Sequence, residues 1–219
     1  MKPLVVLTLI AGLPLAAAAA STVTHIFTVG TPIPDNNAIG LSNTQQIAAP
    51  ITMITEVSVQ LVMTGGWSGD LYAYLTHGSG FSVLLNRPGK SLTEPAGSGT
   101  IDLSVILADN APTDIHTGIP ATAVVSGFYQ PDARTLDPDT ALDTSPRSAF
   151  LSSFNGLDAN GSWTLYVADV APGDTMTLNG WSLTVTGVPE PSAAAFALLG
   201  MAGLLRRRRL QEGRIACPS

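Results

Sequence analysis

Cysteine is nearly absent: Cys217, close to the C-terminus, is the single one in 219 residues. No disulfide can form within the chain, so a small stapled scaffold is excluded and the fold must rest on a packed core. Charge is scarce too, at 12% of residues, and basic charge in the body is scarcer still. Between Ser21 and Val188 stand only Arg87, Lys90, Arg134 and Arg147, against fourteen Asp and Glu. Phosphates would be repelled by such a body, which excludes nucleic acid as a partner. Helical periodicity is also missing, since the body holds no convincing 3.6-residue repeat of apolar positions. A body of about 165 residues can still bury roughly two-thirds of its unfolded surface without staples.

The apolar excess lies at the two ends. Residues 1–20 read as a signal peptide: Lys2 is the positive n-region, Leu4 to Leu15 the apolar stretch, and Ala18-Ala19-Ala20 the small-residue cleavage pattern. Cleavage would leave Ser21 as the N-terminus of an exported protein. At the other end, residues 188–219 begin with Val188-Pro189-Glu190-Pro191-Ser192, read as a rigid extended linker. An apolar helix over 193–205 and the cluster Arg206, Arg207, Arg208 and Arg209 follow. At 1.5 Å per residue that helix reaches roughly 20 Å, short of a ~30 Å bilayer core, a deficit that snorkelling arginines and local thinning can make up. Basic residues favour the cytoplasmic side, which places the body outside.

Residues 21–187 read as strand after strand. His25 to Val29 is a short run before a Pro/Asn loop. In Ile54 to Thr64, Val57, Val59, Leu61 and Met63 point one way. Leu71, Ala73 and Leu75 alternate with Tyr72, Tyr74 and Thr76, and Phe81 to Leu85 follows. Thr100 to Ala108 places Ile101, Leu103, Val105 and Leu107 inward. Residues 109–153, with five prolines, are the least regular part. The densest pattern is Phe154 to Gly187. Trp163, Leu165 and Val167 share one strand face, and Trp181, Leu183 and Val185 another. Ala-Pro-Gly-Asp at 171–174 turns the chain between them. These two runs read as the closing hairpin of a β-sandwich. Asn179-Gly180 matches a type I′ turn, but the parity change across it suits a bulge in one strand better.

Candidate chemistry is sparse. Gly66-Trp67-Ser68-Gly69 approaches a nucleophile elbow, yet Asp70 stands where the last glycine belongs and no helix follows. His25, His77 and His116 sit at strand edges or in loops without a motif, so the chain reads as a non-enzyme. Asp70, Asp158, Asn160 and Asp174 suit turn-holding through main-chain N–H groups. A weak extracellular calcium site is the sharper alternative, although no EF-hand spacing exists. Trp67, in a Gly-rich turn near Tyr72 and Tyr74, either stacks on a sugar ring or plugs an open end of the sandwich. Asn160-Gly161-Ser162 matches a glycosylation sequon.

Two families are resembled. The tail, with Pro189-Glu190-Pro191, an apolar helix and a basic cluster after an exported body, resembles the PEP-CTERM sorting signal of Gram-negative bacteria. The resemblance implies transient anchoring in the inner membrane, an exosortase-type protease as partner, and delivery to the cell surface or extracellular matrix. The chain departs from such signals in running on through Leu210 to Ser219. The body resembles the P domain (P/Homo B) that follows the catalytic domain of kexin- and furin-like proteases. The residues that carry this include Ile33-Pro34-Asp35-Asn36, Trp67-Ser68-Gly69-Asp70-Leu71, Leu84 to Gly89, Leu107 to Ala111, Phe154 to Trp163, and Leu178 to Leu183. This second resemblance implies an all-β, jelly-roll-like β-sandwich, and some P domains bind calcium, for which Asp35, Asp70 and Asp109, lying in the resembling loops, are the first candidates. Gly65 and the irregular Pro/Asp segment at 131–146 depart from the family pattern.

Together these readings lead to a non-catalytic P-domain protein with a role in adhesion, matrix assembly or partner stabilisation. The alternatives are a carbohydrate-binding module retaining secreted polysaccharide, and an accessory domain docking on a separate subtilisin-like protease.

Overall fold

The computed structural model describes residues 19–119 and 124–190. The signal-peptide segment 1–18, and Pro191 with the apolar and arginine segments beyond it, lie outside those residues. Among the described residues, nine strands form two stacked sheets. One has the order β1 (Ser21–Pro32), β9 (Thr177–Pro189), β3 (Ile51–Thr64), β6 (Asp102–Ala108), β7 (Val124–Tyr129). The other runs β2 (Leu41–Ile47), β8 (Gly161–Asp169), β4 (Leu71–His77), β5 (Gly80–Asn86). Neighbours are antiparallel except for β6 and β7, which run parallel. The body is an all-β, two-sheet sandwich.

Alternation of apolar and polar residues explains which side chains fill the space between the sheets. Val57, Val59, Leu61 and Met63 of β3 are buried, as are Leu71, Ala73 and Leu75 of β4. Trp163, Leu165 and Val167 oppose Trp181, Leu183 and Val185 within the same core. Leu103, Val105 and Leu107 point inward as their period predicts. Ile101 does not: it precedes the first paired residue of β6 and stays 41% exposed.

The expected hairpin at 154–187 is not one. Strand β8 pairs with β2 and β4, whereas β9 pairs with β1 and β3 in the facing sheet. The turn at 171–174 therefore bridges an arch between sheets. Each run has one apolar face, and the two faces meet across the core instead of lying side by side. The bulge reading of Asn179-Gly180 holds, since Val62 lies opposite Gly180 and Met63 opposite Leu178, leaving Asn179 as the extra residue. A Cβ on Gly180 would stand 2.6 Å from the Phe27 carbonyl oxygen, so this position needs glycine for β1 to approach.

Two strands escape the sequence patterns. Strand β2 (LSNTQQI) is a polar edge strand, and β7 interrupts the irregular 109–153 region. β9 also extends past the expected domain boundary. Pro189 pairs with Ile51, and the Glu190 N–H donates to the Pro50 carbonyl at 3.1 Å. The first two residues of the Pro-Glu-Pro motif are thus tied to the sandwich, not free in a linker.

Candidate functional site

The 109–153 segment lacks the apolar alternation that would anchor it, and a buried polar network holds it instead. Asp132 is fully buried. Its Oδ2 accepts from His116 Nδ1 at 2.7 Å and from the Asn86 main chain at 3.1 Å, and its Oδ1 accepts from Arg134 Nη1 at 3.1 Å. Arg134 Nη2 reaches Asp114 at 2.9 Å and the Asp143 carbonyl at 2.7 Å. Arg147 donates to the Asp132 and Pro131 carbonyls and to Gln130. The other ring nitrogen of His116 meets the Lys90 carbonyl at 2.8 Å. Burial works against charge on His116, but the bond to Asp132 outweighs it and holds the pKa above the ordinary histidine value.

All four cations of the body are turned inward. Arg87 donates from Nε to the Gly69 carbonyl at 3.0 Å and lies 3.7 Å from Asp70. Lys90 Nζ donates to the Pro138 and Asp139 carbonyls at 2.7 and 2.6 Å. With Arg134 and Arg147 in the network above, the described surface is left to the acids.

Among the calcium candidates, Asp35 and Asp70 lie at one end of the sandwich with Asp169 and Asp174. Asp70 is pushed up by burial, opposed by Arg87 and reinforced by Asp35 and Asp174. Asp109 is elsewhere. It follows β6, whose first residue, Asp102, pairs with Thr64 and whose last, Ala108, pairs with Ser58, so it emerges roughly 20 Å away at the other end. There its carboxylate accepts from the Leu151 and Ser152 N–H groups at 3.0 and 2.7 Å, capping a short 3-10 turn (Leu151–Phe154). The three aspartates cannot share one ion. No group of three or more Asp, Glu, His or Cys side chains arranged to hold a metal occurs among the described residues. The turn-holding reading of Asp158 holds, since its Oδ1 accepts from the Asn160 N–H at 2.9 Å.

Asp169 is fully buried, and burial first, with Asp70 and Asp35 adding, pushes its carboxyl up to about 6. A pKa raised in the fold favours the protonated acid. Its stabilising contribution is complete below the ordinary value and is lost as pH rises through about 6. Asp169→Asn, which carries no charge, is therefore expected to raise the melting temperature at about pH 8 and leave it nearly unchanged at about pH 4. Thermal melts at the two pH values check this; an equal shift at both would contradict it.

The aromatic candidates separate into two places. Trp67 is 42% exposed and borders a depression of about 580 Å³ with Glu94, Ser98, Gly99, Thr117 and Ile119. The Gly69 that follows it is fixed by close approach, because a Cβ there would meet Ala96 O and Ser98 N at 2.6 Å. Tyr72 and Tyr74 instead face outward from β4, where Tyr166 of β8 joins them. Tyr74 stacks on Tyr166 with centroids 4.5 Å apart and planes 17° apart, and Tyr72 meets both rings edge-on. Phe81 extends the row at 5.4 Å from Tyr74. Burial is the main cause that raises the pKa of Tyr72 and of Tyr166, so the phenols stay neutral. The row opens onto a groove of about 590 Å³ whose far wall is the loop 135–139, including Asp137 and Asp139. Alternation around Trp163, Leu165 and Val167 puts Tyr166 on the outer face of its strand, but nothing local in the sequence pairs β8 with β4. Asp132, His116 and Arg134 left no signal in the sequence except as polar residues in an irregular stretch.

His77 and His116 have both ring nitrogens facing carbonyl or carboxylate acceptors. Residues 132–185 match the family model of the proprotein convertase P-domain, a stretch that includes the buried Asp132, the 171–174 arch and most of β8 and β9. Two crystal structures are similar, both of a serine protease of Aeromonas sobria, one of them a complex with the chaperone. They are 19% identical, with TM-scores of 0.45, over 81% of this chain for the protease alone and 78% for the complex. This chain covers 28% of the length of each. No curated protein matches it.

Proposed function

We propose that this is an exported, surface-sorted, non-catalytic protein whose whole body is a jelly-roll-like P domain, and that it acts in adhesion by holding extracellular polysaccharide. The observation that carries this is the row Tyr72, Tyr74 and Tyr166, half-buried rings on the outer face of a rigid sheet, of which Tyr72 and Tyr166 line a preformed groove. Exposed aromatic planes stack on the apolar faces of sugar rings, and β-strands hold them without the entropy cost of a mobile loop. The two histidines committed to main-chain and carboxylate acceptors support a binding role over catalysis. Export and sorting rest on the signal-peptide pattern and on the Pro189-Glu190-Pro191, apolar and Arg206 to Arg209 tail. That reading places the chain transiently in the inner membrane, with an exosortase-type protease as its processing partner. The intact mass of protein recovered from the cell surface tests it, since an unshortened C-terminus would contradict processing.

Affinity electrophoresis through gels containing different extracellular polysaccharides tests the adhesive role. At least one should retard the protein, and Tyr74→Ala should weaken retardation by roughly tenfold. Migration unaffected by every polysaccharide would remove the reading. The second reading, an accessory domain docking on a separate subtilisin-like protease, is favoured by the P-domain match itself. It predicts co-purification with such a protease.

A further inference from the structure

We propose that the free edge of strand β1 is a self-association surface, and that its occupant is the β1 edge of a second copy, paired antiparallel about a twofold axis. The first argument is what the edge leaves open. β1 has 12 residues and pairs along one side with β9; among the described residues no main-chain bond reaches its other side. The far edges of the two sheets differ. β5 is covered, since the Ala133 N–H donates to the Val83 carbonyl at 2.9 Å and the Asp132 N–H to the Leu84 carbonyl at 3.1 Å. β7 has only 6 residues and is interrupted by Gly127 at a φ of +136°. An unpaired row of N–H and C=O groups is a template for another strand, and folds that keep such an edge free block it with charge, proline or a bulge. From Ser21 to Thr28, β1 carries no Asp, Glu, Lys, Arg or Pro, and its one register shift comes after Thr28.

The second argument is the core on this side of the sandwich. β2 stands over β1, as Trp181, paired with Phe27, donates from its indole N–H to Asn43 of β2 at 2.9 Å. Val23, Phe27 and Val29 of β1 and Leu41 of β2 pack against the core yet stay only partly buried. Ile26, on the outer face of β1, is 80% exposed. A second copy along this edge would cover them. The third argument is charge. Two acidic bodies repel wherever their carboxylates face each other, but Leu41 to Ile47 is as free of charged residues as Ser21 to Thr28. Both edge strands on this side therefore let a copy approach. Alternation fits the pairing as well. Centred on Ile26, antiparallel self-pairing sets Thr24 opposite Thr28 and His25 opposite Phe27, so outward side chains meet outward ones and inward meet inward. A twofold axis normal to the sheet leaves the tyrosine rows of both copies on the same side of the pair.

Sedimentation velocity of the purified protein across a concentration series tests this, together with hydrogen exchange of residues 21–32. One strand laid on one strand is a small interface, so monomer and dimer should interconvert with a dissociation constant of roughly 1–100 μM. Exchange protection within 21–32 should rise with concentration over that range. Ile26→Lys sets like charges together on the seam and should raise the dissociation constant at least about tenfold. Ile106→Lys is the control. Ile106 lies on the same outer face, in line with Ile26 through Ser182 and Gln60, but in the interior strand β6, so dimerisation should not change. Both side chains are exposed, so both variants should fold, with the wild-type melting profile as the check. A protein that stays monomeric up to about 200 μM, or a dimer that Ile26→Lys does not weaken, overturns the inference. Protection of 21–32 that is independent of concentration would mean that another segment of this chain covers the edge, and overturns it equally. Dissociation by Ile106→Lys but not by Ile26→Lys would overturn it in favour of contact through the sheet face.

Discussion

Asp132→Ala is expected to cost the domain about 3–5 kcal/mol, the range for removing one partner from a buried ion pair. The magnitude follows from what the substitution leaves behind. His116 and Arg134 are both buried; His116 would lose its carboxylate partner and Arg134 one of its two, keeping only Asp114, with no solvent to replace them. Arg134 has little in reserve, since its Nε already lacks a protein partner. The Asn86 main-chain N–H would be orphaned as well. Asp132→Asn keeps the shape but sets an amide and one neutral oxygen against groups that need acceptors, so it too should destabilise. Urea denaturation near neutral pH measures both variants, and a loss under about 1 kcal/mol for Asp132→Ala would show that the network does not hold the 109–153 segment. A pH signature should accompany the loss. Because the folded pKa of His116 is raised, its pair with Asp132 contributes fully below the ordinary histidine value. That contribution fades as pH rises through the folded value. Asp132→Ala should flatten this part of the stability profile.

Trp163→Ala should cost a similar amount, about 3–5 kcal/mol, by a different mechanism. Trp163 is fully buried, with its ring stacked on His77 at 4.1 Å between centroids and tilted against Phe154 at 5.0 Å. Its indole N–H donates to the Ala159 carbonyl at 2.9 Å. Truncation removes the transfer energy of one of the two tryptophans in the core and leaves a cavity that two aromatic rings anchored elsewhere cannot fill. His77 is held at both nitrogens by the Ser162 and Asp158 carbonyls, so it cannot collapse inward. Trp163→Phe should recover much of the loss, since it refills the cavity and forfeits mainly one hydrogen bond. Denaturation midpoints of the two variants decide the matter. An equal loss for Phe and Ala would mean that the indole N–H, not the packing, carries the stability.

Much of the sandwich was legible because a strand with one buried face writes that face into its sequence. The inward sets at 57–63, 71–75, 163–167 and 181–185 all follow from a period of two. The bulge at Asn179-Gly180 was legible for the same reason, as a one-residue slip reverses the parity of everything after it. Asp158 was readable as a turn-holder because its partner, Asn160, is two residues away. Asp109 was misplaced beside Asp35 and Asp70 because three acids in loops resemble one another until strand direction assigns each loop to an end. The Tyr72–Tyr74–Tyr166 row stayed hidden because β8 lies about ninety residues further along the chain.

By itself, then, the sequence determined the class of fold, the faces of its main strands, the acidic character of its body and the absence of a disulfide. Alternation states which side of a strand is dry, and composition states what the surface must carry. It did not determine partners. Whether β8 and β9 form a hairpin or face each other across a core satisfies the same pattern, and only the competition among all strands for neighbours decides it. The buried network around Asp132 is decided at the same level. Four isolated cations and several aspartates acquire meaning only when the chain brings them together and excludes water. The groove beside the tyrosines inherits both decisions: strand pairing gathers its rings, and Asn86 and Lys90 hold its wall.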